Sequence, residues 1–308
     1  MIKLSYLPVH FHLRFASPAI ADNPPLFVLR SLMGMQLRSM SCVSPNTKCP
    51  DCTYKSTCSY AFLFETILQS ENDVLPGRNR ASHPFSFTQG DLSVGAKISE
   101  YDFTMTLFGK AVDYLPYIYA AFVRAGESGI FKNRTRFSVV DMSVGGKSIL
   151  IDENQNHIEP NVEAEVFSFK ADGGGDSRGE VLVELKSPLR FKVGGKYSSE
   201  FSSADFFSAL YRRAATLLKM YGAIDAELER LPKSLLSIDA RNLRWKKLDH
   251  YSARQKKLVI LSGAVGTFSL SGEFSCMEKK LLEFGRIANA GKNTNFGLGQ
   301  MDYWTKWE

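Results

Sequence analysis

No apolar run in this 308-residue chain approaches the roughly 18–20 residues that a membrane span needs. The best stretch, Tyr114–Val123, is short and is broken by Pro116. Near the N-terminus stand Pro8, His10, His12 and Arg14, where a secretory signal would need unbroken apolar sequence. The expectation is a soluble, cytoplasmic protein with no membrane partner. Histidine is scarce, five in all, and none lies between Pro24 and Ser82. With 44% hydrophobic and 23% charged residues the composition is ordinary, which excludes collagen-like, mucin-like and wholly disordered chains. The length allows about two domains.

What is present is unevenly placed. Residues 1–177 hold 16 Lys/Arg against 18 Asp/Glu, whereas residues 178–308 hold 22 against 14. Within the basic half, Arg241–Lys257 carries seven basic residues and one acid. The run also contains Trp245, His250 and Tyr251. A charge run by itself is as well read as a solvated face. Cations interleaved with rings also suit a single-stranded nucleic acid, whose phosphates want charge and whose unstacked bases want π-faces. Arg241, Arg244, Trp245, Lys246, Lys247, Tyr251, Arg254, Lys256 and Lys257 are the candidate contacts.

The run Ala171-Asp172-Gly173-Gly174-Gly175-Asp176-Ser177 cannot hold a regular element and marks a junction. It separates an N-terminal domain, 1–170, from a C-terminal domain, 171–308. Hydrophobic periodicity predicts strands at Val9–Ala16, Lys97–Phe108 and Arg134–Met142 and a helix over Tyr114–Arg124, and Pro24-Pro25 opens a helix through about Met40. His10 and His12 share a strand face, as a site pair or as a half-buried core pair. The second half repeats the order: strand Glu180–Phe191, helix Ser203–Tyr221 with Ser203 as N-cap and Gly222 as the C′ residue, two strands within Lys257–Phe274, helix Ser275–Asn289 and strand Phe296–Trp304. Two such halves indicate an α+β protein of two tandem ferredoxin-like (RRM-like, split βαβ) domains.

Two motifs stand out. Cys42, Cys49, Cys52 and Cys58 lie within 17 residues, in an insert of about residues 41–60. Disulfides are not expected in a reducing compartment. Four thiolates close a tetrahedral zinc site, and the x2 spacing of Cys49 and Cys52 is a common knuckle. Free thiols and an iron–sulfur cluster are the other readings. Near the chain's end, Gly291-Lys292-Asn293-Thr294-Asn295-Phe296-Gly297-Leu298-Gly299 follows a helix. Glycine lets backbone N–H groups approach phosphates, and Lys292 adds a charge. The spacing matches neither a Walker A loop nor a dinucleotide fingerprint. A tight helix–strand turn is the plainer reading.

This loop (291–299) resembles the glycine-rich loop of the RAMP superfamily, specifically the CRISPR-associated endoribonucleases that process precursor CRISPR RNA. Other stretches fit in order: Arg30–Gly34 resembles the first helix. Phe103–Gly109 with Leu115-Pro116-Tyr117 resembles the first-domain strand and helix. Tyr251-Ser252-Ala253-Arg254-Gln255 with Gly263 and Gly266 resembles the segment before the loop. The resemblance implies a pair of ferredoxin-like domains and cleavage of CRISPR repeat RNA to release guide crRNAs. No cofactor would serve catalysis: the 2′-hydroxyl attacks the neighbouring phosphate and leaves a 2′,3′-cyclic phosphate. Partners would be repeat RNA, crRNA and other CRISPR effector subunits.

Such chemistry needs a general base, a general acid and cations at the phosphate. The sequence departs from the family here. Members often carry a histidine on or after the first helix, where this chain has none, and another two residues before the loop glycine, where it has Asn289. His250, His83 and His12 are the remaining catalytic candidates, in that order. Lys48, Tyr54 and Lys55 follow the first helix and are further ones. Lys292, Asn293 and Asn295 join the candidate RNA contacts. Two alternatives stay open: a non-cleaving subunit that binds the crRNA handle, and a zinc-stabilised scaffold for an acidic protein partner.

Overall fold

A computed structural model describes residues 2–67, 82–88, 90, 93–151, 158–159, 161–169, 175–223, 228, 231–252 and 257–307. The chain divides into two compact units, Leu4–Val166 and Phe167–Glu308 with Met1–Lys3. Arg78, Arg80, His157, Arg254, Lys256 and most of the Ala171–Ser177 run lie outside the described residues.

The first unit runs β1 (Lys3–Ile20), α1 (Pro25–Ser41), β2 (Phe85–Thr88), β3 (Lys97–Phe108), α2 (Leu115–Ser128), β4 (Phe137–Val144), with a short β5 (Lys147–Ser148) added to β4. The sheet order β2-β3-β1-β4, with antiparallel neighbours, is that of a split βαβ unit. Alternation along β1 buries Leu7, Val9, Phe11 and Leu13. Phe11 stacks on Phe103 at 5.0 Å, and both pack against Phe122 of α2. His10, His12 and Arg14 therefore stand on the other face of the sheet, away from the helices. His10 and His12 are not a core pair: their side chains keep 37% and 24% exposure and both meet Asp102 of β3. β6 (Glu165–Ser168) follows.

The second unit runs β7 (Ser177–Leu189), a hairpin of β8 (Lys192–Val193) and β9 (Lys196–Tyr197), α3 (Ser203–Tyr221), β10 (Ser237–Asp239), β11 (Leu243–Lys246), a hairpin of β12 (Asp249–Ser252) and β13 (Lys257–Ile260), β14 (Gly263–Phe274), α4 (Cys276–Ala288) and β15 (Met301–Trp307). Its order β10-β14-β7-β15 repeats that of the first unit, and β11 also pairs with β14. Phe206 packs edge-on against Phe268 at 5.0 Å.

Three local expectations shift. The cap of α3 is Ser202, whose hydroxyl accepts from the Asp205 N–H while the Asp205 carboxylate accepts from the Ser202 N–H. Ser203 is one step inside and buried, its hydroxyl donating to the Leu236 carbonyl. Gly222 ends the helix in extended backbone. The last strand starts at Met301 because Thr294–Phe296 form a 3-10 turn. No described helix is long and apolar enough to cross a membrane.

Asp302 ties β15 to its neighbours, accepting from Lys186 Nζ at 3.1 Å and Arg286 Nε at 2.6 Å. Burial alone would raise its carboxyl. The hydrogen bonds from Lys186, Arg286 and the Tyr303 N–H outweigh that and hold it below the usual carboxylate range. The Asp302 contribution is present above the unfolded value, about 4, and is lost as pH falls through the folded one. Asp302→Asn should therefore lower the urea midpoint at pH 7, and its difference from wild type should shrink at pH 3.

Candidate nucleic-acid interface

The glycine-rich loop is held from below by buried polar groups. α4 stops at Ala288, and Asn289 turns out of the helix at φ 60°. Asn289 is fully buried and its Nδ2 donates to the Leu298 carbonyl at 3.2 Å. The Ala288 carbonyl, an orphan acceptor at the helix end, receives the Nε of Arg213 from α3. Burial pushes the Arg213 guanidinium down to about 10, against the opposing pull of Tyr221.

Backbone bonds then pin the loop to β7. Gly299 donates to the Pro188 carbonyl at 3.0 Å, Ala290 to Gly299 at 2.8 Å, and Lys292 to Arg190 at 2.7 Å. Gly291 and Gly299 both have positive φ, at 77° and 71°. A Cβ on Gly291 would overlap the Arg190 carbonyl, and one on Gly299 the Ala290 carbonyl. Left-handed backbone and close approach both require glycine here. Lys292 remains exposed, whereas Thr294 and Asn295 are buried within the loop. Asn293 adopts left-handed backbone before the 3-10 turn.

Around this loop the fold gathers cations. Arg190 is 6% exposed, and its Nη1 donates to the Ser262 carbonyl at 2.6 Å. Its buried Nε has no partner among the described residues. Its guanidinium lies 4.1 Å from the centre of the Tyr197 ring, and the ammonium groups of Lys192 and Lys292 lie 5.8 and 5.9 Å from the same ring. Three like charges around one half-exposed ring repel each other, and a phosphate chain relieves that repulsion. The ring itself offers a stacking face.

Ser262 extends the site. Its hydroxyl accepts from the Leu248 N–H at 3.1 Å, and Leu248 leads into β12. His250 sits on β12 opposite Val259. Arg244, Trp245, Lys246 and Lys247 are exposed on and just beyond β11, whose Lys246 pairs with Gly263. Arg241 is different: its guanidinium clasps Asp239, and the bond holds the Asp239 carboxyl down to about 2. Its charge is cancelled locally. Tyr251 and Lys257 are placed by backbone only, on the hairpin with His250.

The first unit separates its candidates. His83 accepts at Nε2 from Arg30 Nη2 at 3.0 Å, on the helix side of the sheet, and stacks on Phe85. Arginine only donates, so His83 carries its proton on Nδ1 in this contact. His12 is on the opposite face, its Nδ1 2.8 Å from Asp102 and its Nε2 3.8 Å from Glu100. The two histidines are not brought together. Cys42, Cys49, Cys52 and Cys58 line one pocket beyond α1. Lys48, Tyr54 and Lys55 are exposed beside them. Cys276 starts α4 and is half-buried.

Two family models match the chain. One, described as an N-terminal domain, matches residues 4–163, and the other, CRISPR-associated endoribonuclease Cas6, matches residues 183–301. The second span contains Arg190, the β8–β9 hairpin, His250 and the glycine-rich loop. Residues 183–301 thus form a Cas6 endoribonuclease domain by the family model that matches them. Among solved structures, the Cas6 product complex from Thermus thermophilus is 14% identical over 97% of this chain and 99% of that one, with a TM-score of 0.54. The chain in a partial Cas6-RT-Cas1--Cas2 complex is 13% identical over 99% of this chain and 46% of that one, with a TM-score of 0.57. At such identity these likenesses speak for the fold, the tandem ferredoxin-like pair. No match to a curated protein is found.

Sequence reasoning missed three members of the site, Arg190, Lys192 and Tyr197. The signal was available: Gly194-Gly195 between Lys192 and Lys196 is a two-residue hairpin turn with basic flanks. Lys292 lies in the segment that the Cas6 model matches, and Lys292→Ala should weaken repeat-RNA binding and flatten the plot of log affinity against log salt by about one unit. Filter binding over a salt series measures this, and an unchanged slope would remove Lys292 from the interface.

Proposed function

We propose that this chain cleaves CRISPR repeat RNA without a metal, releasing guide crRNAs. The supporting observation is the group of Arg190, Lys192 and Lys292 around Tyr197, with the Arg190 carbonyl accepting from the Lys292 N–H of the glycine-rich loop. In this reading the loop and its cations hold the RNA backbone and offset charge on the pentacoordinate phosphate. A base takes the proton of the 2′-hydroxyl, whose oxygen attacks the adjacent phosphorus. The bond to the 5′-oxygen breaks, an acid protonates that oxygen, and a 2′,3′-cyclic phosphate remains. Exposed Trp245 and Tyr197 offer stacking faces for splayed bases.

His250 is the acid–base residue in this proposal. Hydrogen bonds run from Lys292 to the Arg190 carbonyl, from Arg190 to the Ser262 carbonyl, and from Leu248 to the Ser262 hydroxyl, ending two residues before His250. His83 is engaged by Arg30, and His12 by Asp102. As part of the same proposal, the chain assembles with other CRISPR proteins, a reading supported by its likeness to the chain in the Cas6-RT-Cas1--Cas2 complex.

The test is incubation with repeat RNA in EDTA, beside RNA with a single 2′-deoxy nucleotide at the cut site. Cleavage should survive EDTA and fail on the deoxy substrate. His250→Ala should slow cleavage by ~100-fold or more while keeping affinity for the deoxy RNA. The same loss in His83→Ala or His12→Ala instead would move the role there. Tight binding with no cut would select the handle-binding subunit.

A further inference from the structure

The cysteine segment is left unexplained by an RNA-cleaving site. From Cys42 to Cys58, every residue is exposed except Ser44 and the four cysteines, which are half-buried. Val43 and Tyr54, the large apolar side chains of the stretch, are 71% and 56% exposed. The segment has no strand and no α-helix, only a 3-10 turn at Cys49–Asp51. Its backbone bonds are short-range: Thr47 to Ser44, Asp51 to Lys48, Cys52 to Cys49, Lys55 to Cys52, Cys58 to Tyr54. Nothing here buries enough apolar surface to offset the entropy of ordering the chain.

The four inward side chains share one pocket, with Tyr54 and Tyr60 also in its wall. Its volume is about 20 Å³, room for a single ion or water and too little for a nucleotide. None of the cysteines forms a disulfide. Among the described residues no group of three or more His, Cys, Asp or Glu stands in metal-coordinating geometry. The case for the cysteines rests on their burial and on the shared pocket.

We infer that Cys42, Cys49, Cys52 and Cys58 bind one structural zinc ion, which orders the segment following α1. The chemistry of the donors fits. Four thiols give up their protons on binding a divalent cation, no oxidant or reductant is needed, and a soft four-sulfur set selects zinc among the common ions. Cys49-Pro50-Asp51-Cys52 forms the knuckle, closed by the Cys52 N–H to the Cys49 carbonyl. With four protein ligands no open position remains, so the ion takes no part in RNA cleavage. The clip would hold Lys48, Tyr54 and Lys55 in place on the surface beyond α1. This inference is independent of the assignment of His250.

The test is elemental analysis of the full chain, purified without metal-affinity resin and without added metal. About one zinc per chain is expected, released by a thiol-specific mercurial with four thiols becoming titratable. Cobalt exchanged into the site should show the visible bands of tetrahedral thiolate coordination. Cys49→Ser with Cys52→Ser should lose the metal, whereas Cys276→Ser should keep it. If the double variant does not fold, Cys42→Ser alone should shift the cobalt bands. Under ~0.2 zinc per chain with four freely titrating thiols, stoichiometric iron, or zinc retained in the double variant would each overturn the assignment.

Discussion

The close contact between the Gly291–Gly299 loop and the end of β7 is the constraint on which the site depends. A loop atom larger than hydrogen at position 291 or 299 would collide with a carbonyl, so the backbone lies directly against Arg190 and Ala290. That approach places Lys292 over the same ring as Arg190 and Lys192. The buried Asn289 and Arg213 do not face solvent; they satisfy the carbonyls that this geometry would otherwise leave orphaned. The cationic surface is therefore a consequence of polar bookkeeping beneath it.

The two units use one topology for different ends. In the second, the loop after α4 and the extra hairpins carry the charge. In the first, the face away from the helices carries His10, His12, Arg14, Glu100 and Asp102, where both histidines meet Asp102 and Arg14 pairs with Glu100 across the strands. In the second unit, Arg190, Lys192 and Lys292 gather around one ring instead. Arg241 shows the distinction inside the basic run itself, since Asp239 claims it.

The cysteine segment follows a third logic. The sheets and helices are ordered by phenylalanine-rich cores, such as Phe11, Phe103 and Phe122. Residues 42–58 have no such core. Their four cysteines line one pocket, and their backbone bonds reach only near neighbours.

Much was legible from the residues in order. Alternation in β1 and β3 and the helical period of α3 and α4 depend on near neighbours, so the two split βαβ units could be read directly. The glycine-rich loop and the four-cysteine spacing were also visible, because both are local patterns. The fate of each charge was not. Whether His12 meets a core or a carboxylate depends on the register of β1 against β3, about ninety residues away. Whether Arg190 belongs to the loop depends on a contact about a hundred residues distant in the chain. Local sequence sets which elements form, because periodicity acts over a few residues. Only tertiary packing decides which cations remain unpaired, because pairing acts between elements that lie far apart in the chain.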